Sequence, residues 1–438
     1  MHSRRSFIRV GCSAVGTLAL RPFGAIAAAA VPAVSDYKAL VCVFLFGGND
    51  GNNVIVPLTG NAYDNYASIR QQIALPSSSL LPVAAGADTY GLHASLKEVQ
   101  ALYGQKQLAF VVNVGNLVQP LTRAQYTAAS VPLPSNLFSH SDQQLEWQTA
   151  LPAAGSTGWG GRLADLVTPW NAPAKYPSFV SVAGNTLQGS GTQTQPATVI
   201  PGAPLGLSSG NAAVDSALKQ LFTLESGVSL VQAATSVLAN GESDATTLSQ
   251  ALAGAKPLQT QFPKNSLGAQ LAEVASIISV HSQMGMKRQI FFCSLGGFDT
   301  HGGQLSTQAT LLTQLSQSLS AFFDATQEMG VAGQVTTFTE SDFGRTLSPT
   351  SNNGSDHAWG NHHLVMGAGV KGGNIFGAFP ELVLGGPDDT DTRGRWILSA
   401  SVDQYGATLA SWFGVGAGDL ATVFPNLANF KSQNLGFV

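Results

Sequence analysis

The sequence predicts an α/β fold, a three-layer sandwich around a mostly parallel central sheet. Four apolar runs, at 38–46 (KALVCVFLF), 107–114 (QLAFVVNV), 289–295 (QIFFCSL) and 334–339 (QVTTFT), are continuous rather than alternating. That is the pattern of strands covered on both faces. Stretches of helical period lie between them, at 94–103, 139–149, 269–284 and 304–329. Strand alternating with helix places helices on both sides of a parallel sheet. Finally, 438 residues of which 44% are hydrophobic supply a large core.

Composition narrows the function classes. Charged residues make up 11% of the chain, against about 25% in ordinary soluble domains; the 48 glycines and many Ser, Thr, Asn and Gln provide polar surface instead. A net charge of −4 argues against nucleic acid as a partner, and the hydrophobic content excludes wholesale disorder. No uninterrupted apolar run is long enough for a stable membrane span.

Residues 3–9 (SRRSFIR) resemble a twin-arginine export signal, followed by a weakly apolar stretch and an Ala25-Ile26-Ala27 cleavage pattern. The expectation is a signal peptide over 1–27, recognition by the twin-arginine export machinery, and a periplasmic or secreted protein. Cleavage removes Arg4, Arg5, Arg9 and Arg21 and no acid, leaving 17 bases, 25 acids and a net charge of −8. Arg9 just before Cys12 argues against lipid attachment. Cys42 and Cys293 then remain, read as two buried thiols, with a single bridge open if their strands are neighbours.

The rest, 28–438, reads as one domain. Residues 184–210 are rich in Gly, Ser, Thr, Gln and Pro, and helical stretches follow at 212–239 and 243–253. Together they predict a loop and helical insertion at about 184–265 between two halves of the sheet.

Polar clusters follow the predicted strands. Phe46-Gly47-Gly48-Asn49-Asp50-Gly51-Asn52-Asn53 places a carboxylate where open α/β sheets put their active sites. Gly296-Gly297-Phe298-Asp299-Thr300-His301 carries Asp and His two apart, on one side of an extended segment and able to share a metal ion. An oxygen with an imidazole suits zinc, manganese or iron better than calcium. Thr339-Glu340-Ser341-Asp342-Phe343-Gly344-Arg345 adds acids and an arginine suited to phosphate or sulfate oxygens. Gly354-Ser355-Asp356-His357-Ala358-Trp359-Gly360-Asn361-His362-His363 concentrates three histidines, the last two opening an apolar run. Each cluster alone also reads as a turn, a hydrogen-bonded loop or a salt bridge. Strand ends along one sheet edge let Asp50, Asp299, His301 and Asp342 converge, and His357 joins them if its loop folds back.

The order of these motifs, with FSHSD at 138–142, resembles the exported bacterial family of domain of unknown function 1501. That family is in turn similar to the alkaline phosphatase and sulfatase superfamily. The resemblance covers nearly the whole mature chain and implies an alkaline phosphatase-like fold and one or two divalent metal ions. It also implies Asp50, Asp299, His301, Asp342 and His357 as ligands. Phe343 stands where the superfamily usually has histidine, and the Asp299–His301 spacing is tighter than usual, so the second ion and catalysis itself are in question. A superfamily nucleophile sits at a helix start, which points to Ser139 or Ser141; an N-cap serine is the plain alternative.

The implied function is a metal-dependent hydrolase of phosphate or sulfate esters, small-molecule or polymeric. Ser139, Ser141 or a water attacks, Arg345 steadies the anionic oxygens, and His140 or His357 protonates the leaving group. The rival is a non-catalytic exported protein that keeps the fold for binding or surface assembly. A literal G-x-S-x-G at 206–210 lies among prolines without a strand before it and is read as chance.

Overall fold

The computed structural model describes residues 34–153, 155–222 and 228–438. The expected signal over 1–27, with Cys12, lies outside the described residues.

The central sheet has nine strands: β1 (Lys38–Phe46), β2 (Leu108–Gly115), β3 (Phe179–Ser181), β4 (Ala197–Thr198), β5 (Arg288–Gly296), β6 (Val335–Ser341), β7 (Asn361–Met366), β8 (Ile375–Phe376) and β9 (Ala400–Ser401). Their order is β8-β2-β7-β6-β1-β5-β3-β4, with β9 also on β2. β1 runs parallel to both β5 and β6, and β7 alone among these strands is antiparallel to its neighbours. The helices of eight or more residues are α1 (Ala62–Arg70), α2 (Lys97–Gly104), α3 (His140–Thr149), α4 (Trp159–Val167), α5 (Ala212–Leu221), α6 (Ser229–Ala253), α7 (Ser266–Ser279), α8 (Gln304–Glu328) and α9 (Val402–Phe413). This is the predicted sandwich.

β1 shows why the strand runs are apolar throughout. Val41, Val43 and Leu45 enter a core shared with α2, α7 and α8, while Leu40, Cys42 and Phe44 enter another shared with α4 and α9. Burying each large side chain contributes about 1.5–3 kcal/mol, so a polar residue on either face would forfeit that. The same alternation closes the disulfide question. Cys293 stands opposite Val43, so Cys42 and Cys293 leave adjacent strands on opposite faces, and both are free thiols.

Two departures from the sequence reading stand out. Helix α6 runs unbroken through Gly241, where a break between 239 and 243 is expected; an interior glycine costs only about 1 kcal/mol. β4 adds a short parallel edge strand inside the stretch read as loop.

The carboxyl ends of β6, β1 and β5 are neighbours on one sheet edge. After β6 the chain forms a hairpin, Arg345–Pro349 with Ser355–His357, in which His357 stands opposite Arg345. It then re-enters the sheet as antiparallel β7, whose start lies at that same edge. This reversal carries the fourth polar cluster to the other three.

Candidate metal centre

Four side chains meet at the edge. The Nε2 atoms of His301, His140 and His357 lie 3.0, 3.4 and 3.5 Å from Asp299 Oδ1, and the Nε2 atoms of His301 and His357 are 2.8 Å apart. Donor atoms held at 2.0–2.2 Å from one zinc ion stand about 3.3 Å apart in a tetrahedron. Among the described residues, His140, Asp299 and His357 form the one group of three or more such side chains spaced to hold a metal ion.

The outer nitrogens fix how each imidazole presents itself. His140 Nδ1 faces Asp342 Oδ2 at 2.7 Å, His301 Nδ1 faces Asp356 Oδ1 at 3.0 Å, and His357 Nδ1 faces the Phe138 carbonyl at 2.7 Å. Each partner is an acceptor, so each Nδ1 donates its hydrogen and each Nε2 is the ring nitrogen that faces inward. Nitrogen atoms this close to one carboxylate oxygen are favourable only with a cation or a proton among them. Consistent with that, His140 Nε2 is buried and makes no hydrogen bond. The donor set of His140, His357 and Asp299, two imidazoles and one carboxylate with His301 beside the last two, fits zinc or a similar transition metal.

Local structure builds these positions. His140 opens α3, and Gln144 one turn on also donates to Asp342 Oδ2, at 2.6 Å. Phe138 adopts φ +72°, an uncommon backbone state for a large residue, which delivers its carbonyl to His357. Arg395 Nε holds the His357 carbonyl at 2.9 Å while its guanidinium lies over the Phe138 ring. Asp356 is gripped by Arg393 at 2.6 Å. Gly354 passes so close under His301 that a Cβ would come 2.2 Å from its carbonyl carbon. Gly48, at φ +78°, would put a Cβ 2.5 Å from the Phe343 ring.

The electrostatics follow. Burial raises the Asp299 pKa, but Arg345 and the three imidazoles outweigh it and hold the carboxyl below its ordinary range. The bond to Asp342 raises His140 above the usual imidazole value, against burial. Burial lowers His357, with the Phe138 carbonyl opposing.

The expected ligands therefore separate. Asp299, His301 and His357 come together, and His140, read from sequence as an acid, stands among them as a donor. Asp342 is fully buried behind His140, and its oxygens accept from Gly47 N, His140 and Gln144; it fixes the His140 ring and turns away from the other three side chains. Asp50 is buried and taken up by Arg70 and Gln304 on one oxygen and by Asn52 N and Nδ2 on the other. Arg345 is no free anion clamp. Its guanidinium bonds the Gly47 carbonyl, Asp299, and the carbonyl and hydroxyl of Ser355. The Ser139 and Ser141 hydroxyls turn to Asp142, at 2.6 and 3.1 Å. Phe343 is buried, its ring 4.7 Å from those of both His140 and His357. His362 and His363 are buried; their apolar surroundings push them down to about 4 and about 3, outside the centre.

Residues 37–389 match the family model described as "Protein of unknown function (DUF1501)". The chain belongs to the DUF1501 family. No relative is found among curated proteins. Of solved structures, this DUF1501 chain is similar to the lipoteichoic acid synthase LtaP from Listeria monocytogenes, at 8% identity and TM-score 0.38, covering 93% of this chain and 80% of that one. It is also similar to the zinc complex of the C-terminal periplasmic domain of EptC from Escherichia coli, at 9% identity and TM-score 0.33, covering 76% and 74%. A third is the phosphonate monoester hydrolase of Agrobacterium radiobacter, at 9% and 0.33, covering 87% and 74%. At these values the likenesses carry no argument about the site. No helix among the described residues is long and apolar enough to cross a membrane.

Asp356, Arg393, Gln144, Arg70 and the Phe138 carbonyl escape the sequence reading. Asp356 had a signal, standing next to His357 in the histidine-rich cluster. The others had none, since a backbone carbonyl or a polar side chain on a helix or loop carries no motif that names its partner.

Proposed function

We propose that this DUF1501 chain is an exported metal-dependent hydrolase of phosphate or sulfate esters. The single observation carrying the reading is that three histidines, each bound at Nδ1 by an acceptor, aim Nε2 at one carboxylate oxygen. A divalent cation held by His140, His357 and Asp299, with His301 beside them, would supply Lewis acidity toward an anionic ester.

The chain's own residues do the remaining work. Asp342, Asp356 and the Phe138 carbonyl retain the Nδ1 hydrogens, which keeps the Nε2 atoms available and oriented. Arg345 holds Asp299 in its charged form. Phe343 excludes water from one side of the cluster, while half-exposed Asp299 and His301 leave the other side open to substrate. With both serine hydroxyls on Asp142, the attacking oxygen is assigned to solvent. The twin-arginine-like start supports delivery to the periplasm or beyond.

Metal analysis of wild type and Asp299→Ala, followed by aryl phosphate, phosphodiester and sulfate substrates, tests this. The variant should lose both ion and turnover; retention of both would end the reading. A second reading, a metal-holding exported protein for binding or surface assembly, draws support from the saturated Arg345 and the engaged serines. Stoichiometric metal without turnover on any ester would favour it.

A further inference from the structure

The chain just before α3 carries an uncommon backbone. Phe138 stands at φ +72° and Asn136 at φ +48°, the left-handed region that a residue with a Cβ enters only at a cost. Asparagine is at home there; a bulky residue is not. Such a state persists where surrounding contacts over-determine it. The Phe138 N–H donates to Gln143 Oε1 at 2.8 Å, its carbonyl accepts from His357 Nδ1 at 2.7 Å, and the Arg395 guanidinium lies 4.4 Å from its ring centroid.

The first two contacts are coupled by geometry. The N–H and the carbonyl lie on either side of one Cα, and φ is the rotation between them. With the N–H held, a return to negative φ swings the carbonyl away from His357. With the N–H released, the residue can relax and the carbonyl is free to leave.

Gln143 is therefore the anchor. It lies in the first turn of α3, fully buried, and its amide nitrogen makes no hydrogen bond. Burying an amide with its donors unpaired is costly. The contact that explains a polar side chain at this position is the bond from Phe138. Arg395 closes the arrangement, since it touches the Phe138 ring and also donates to the His357 carbonyl at 2.9 Å. One short stretch thus serves two sides of the centre: His140 supplies its own ring, and Phe138, two residues earlier, fixes that of His357.

We propose that Gln143 is a positioning residue for His357, acting through the strained Phe138 peptide. Its loss weakens the centre although it touches none of the four side chains that meet there. The proposal rests on the metal-centre reading and adds a control on one of its histidines.

Zinc dissociation constants from competition with a chelating dye, for wild type, Gln143→Leu, Phe138→Gly and the double variant, test it. Gln143→Leu should bind zinc about 10- to 100-fold more weakly than wild type. Glycine enters the left-handed region freely, so in the Phe138→Gly background the same change should cost no more than about threefold. A folded Gln143→Leu protein with wild-type affinity overturns the proposal. So does an equal loss in both backgrounds, the result a merely structural glutamine would give. Should Gln143→Leu fail to fold, Phe138→Gly against Phe138→Ala decides. Both lack the ring and only alanine keeps the strain, so the glycine variant should bind at least about fivefold more tightly; equal or weaker binding overturns the proposal. Zinc bound by none of these proteins ends the metal-centre reading itself, and the His357 ring then decides. Its Nδ1 hydrogen should give a slowly exchanging signal in nitrogen-edited NMR of wild type and lose it in Gln143→Leu. Absence of that signal from wild type, or its persistence in the variant, overturns the proposal.

Discussion

Replacing Asp342 by asparagine separates orientation from ligation. The carboxylate is fully buried, and its Oδ2 accepts both from His140 Nδ1 at 2.7 Å and from Gln144 Nε2 at 2.6 Å. Asparagine keeps the shape but exchanges one acceptor oxygen for a donor amide. Whichever way the amide turns, it opposes Gly47 N–H on one side or His140 and Gln144 on the other. One buried mismatch of this kind costs about 1–3 kcal/mol of stability, which leaves a folded protein to measure. The effect on metal is distinct. His140 loses the negative charge behind Nδ1, so its ring is freer to turn and Nε2 is a weaker base. Loss of such a partner lowers metal affinity by about 10- to 100-fold, or roughly 1.4–2.8 kcal/mol. Zinc dissociation constants from competition with a chelating dye, alongside thermal unfolding followed by circular dichroism, read both quantities. A folded Asp342→Asn protein with unchanged zinc affinity would refute the assignment of Asp342 as the residue that orients His140, and with it the place of His140 in the centre.

Other outcomes are equally specific. Alkylation in denaturant without reductant should label both Cys42 and Cys293, and neither in the native protein, because the thiols are buried on opposite sheet faces; an unlabelled pair would contradict the register of β1 with β5. Gly48→Ala should cost about 3 kcal/mol, from the left-handed backbone and the clash with the Phe343 ring, read as a lower melting temperature; an unchanged value would show that Phe343 is loosely held. Burial raises the Glu340 carboxyl from 4.5 to about 8, so the folded chain keeps a proton that the unfolded chain releases. Its contribution is fully present below about pH 4.5 and fades as pH rises to about 8. Glu340→Gln should therefore flatten the decline of stability across that window in denaturant titrations, and an unchanged slope would place the titration elsewhere.

Much of the site was legible because strand ends are legible. A continuous apolar run followed by glycine and a carboxylate marks both the sheet and its functional edge, and this located Asp50, Asp299 and Asp342 at adjacent strand ends. Roles were not legible. Asp50 and Asp342 look like Asp299 in sequence, each a carboxylate just past a strand, and differ only in what faces them. Arg70 arrives from α1 and Gln144 from α3, and both fill lone pairs that motif reading left open for metal. His140, like His357, reads from sequence as a leaving-group acid, and only the β6 end, which places Asp342 behind its ring, turns its Nε2 toward Asp299.

The linear order of apolar runs and polar clusters by itself determined an α/β sandwich with its chemistry gathered at one edge, since burial on both faces requires unbroken hydrophobic strands. Only the tertiary structure decided which carboxylate keeps a free lone pair, which imidazole nitrogen turns inward, and that the two cysteines never meet. Those outcomes depend on partners from distant segments arriving within about 3 Å, the range over which a hydrogen bond forms or fails. Spacing along the chain does not encode that distance.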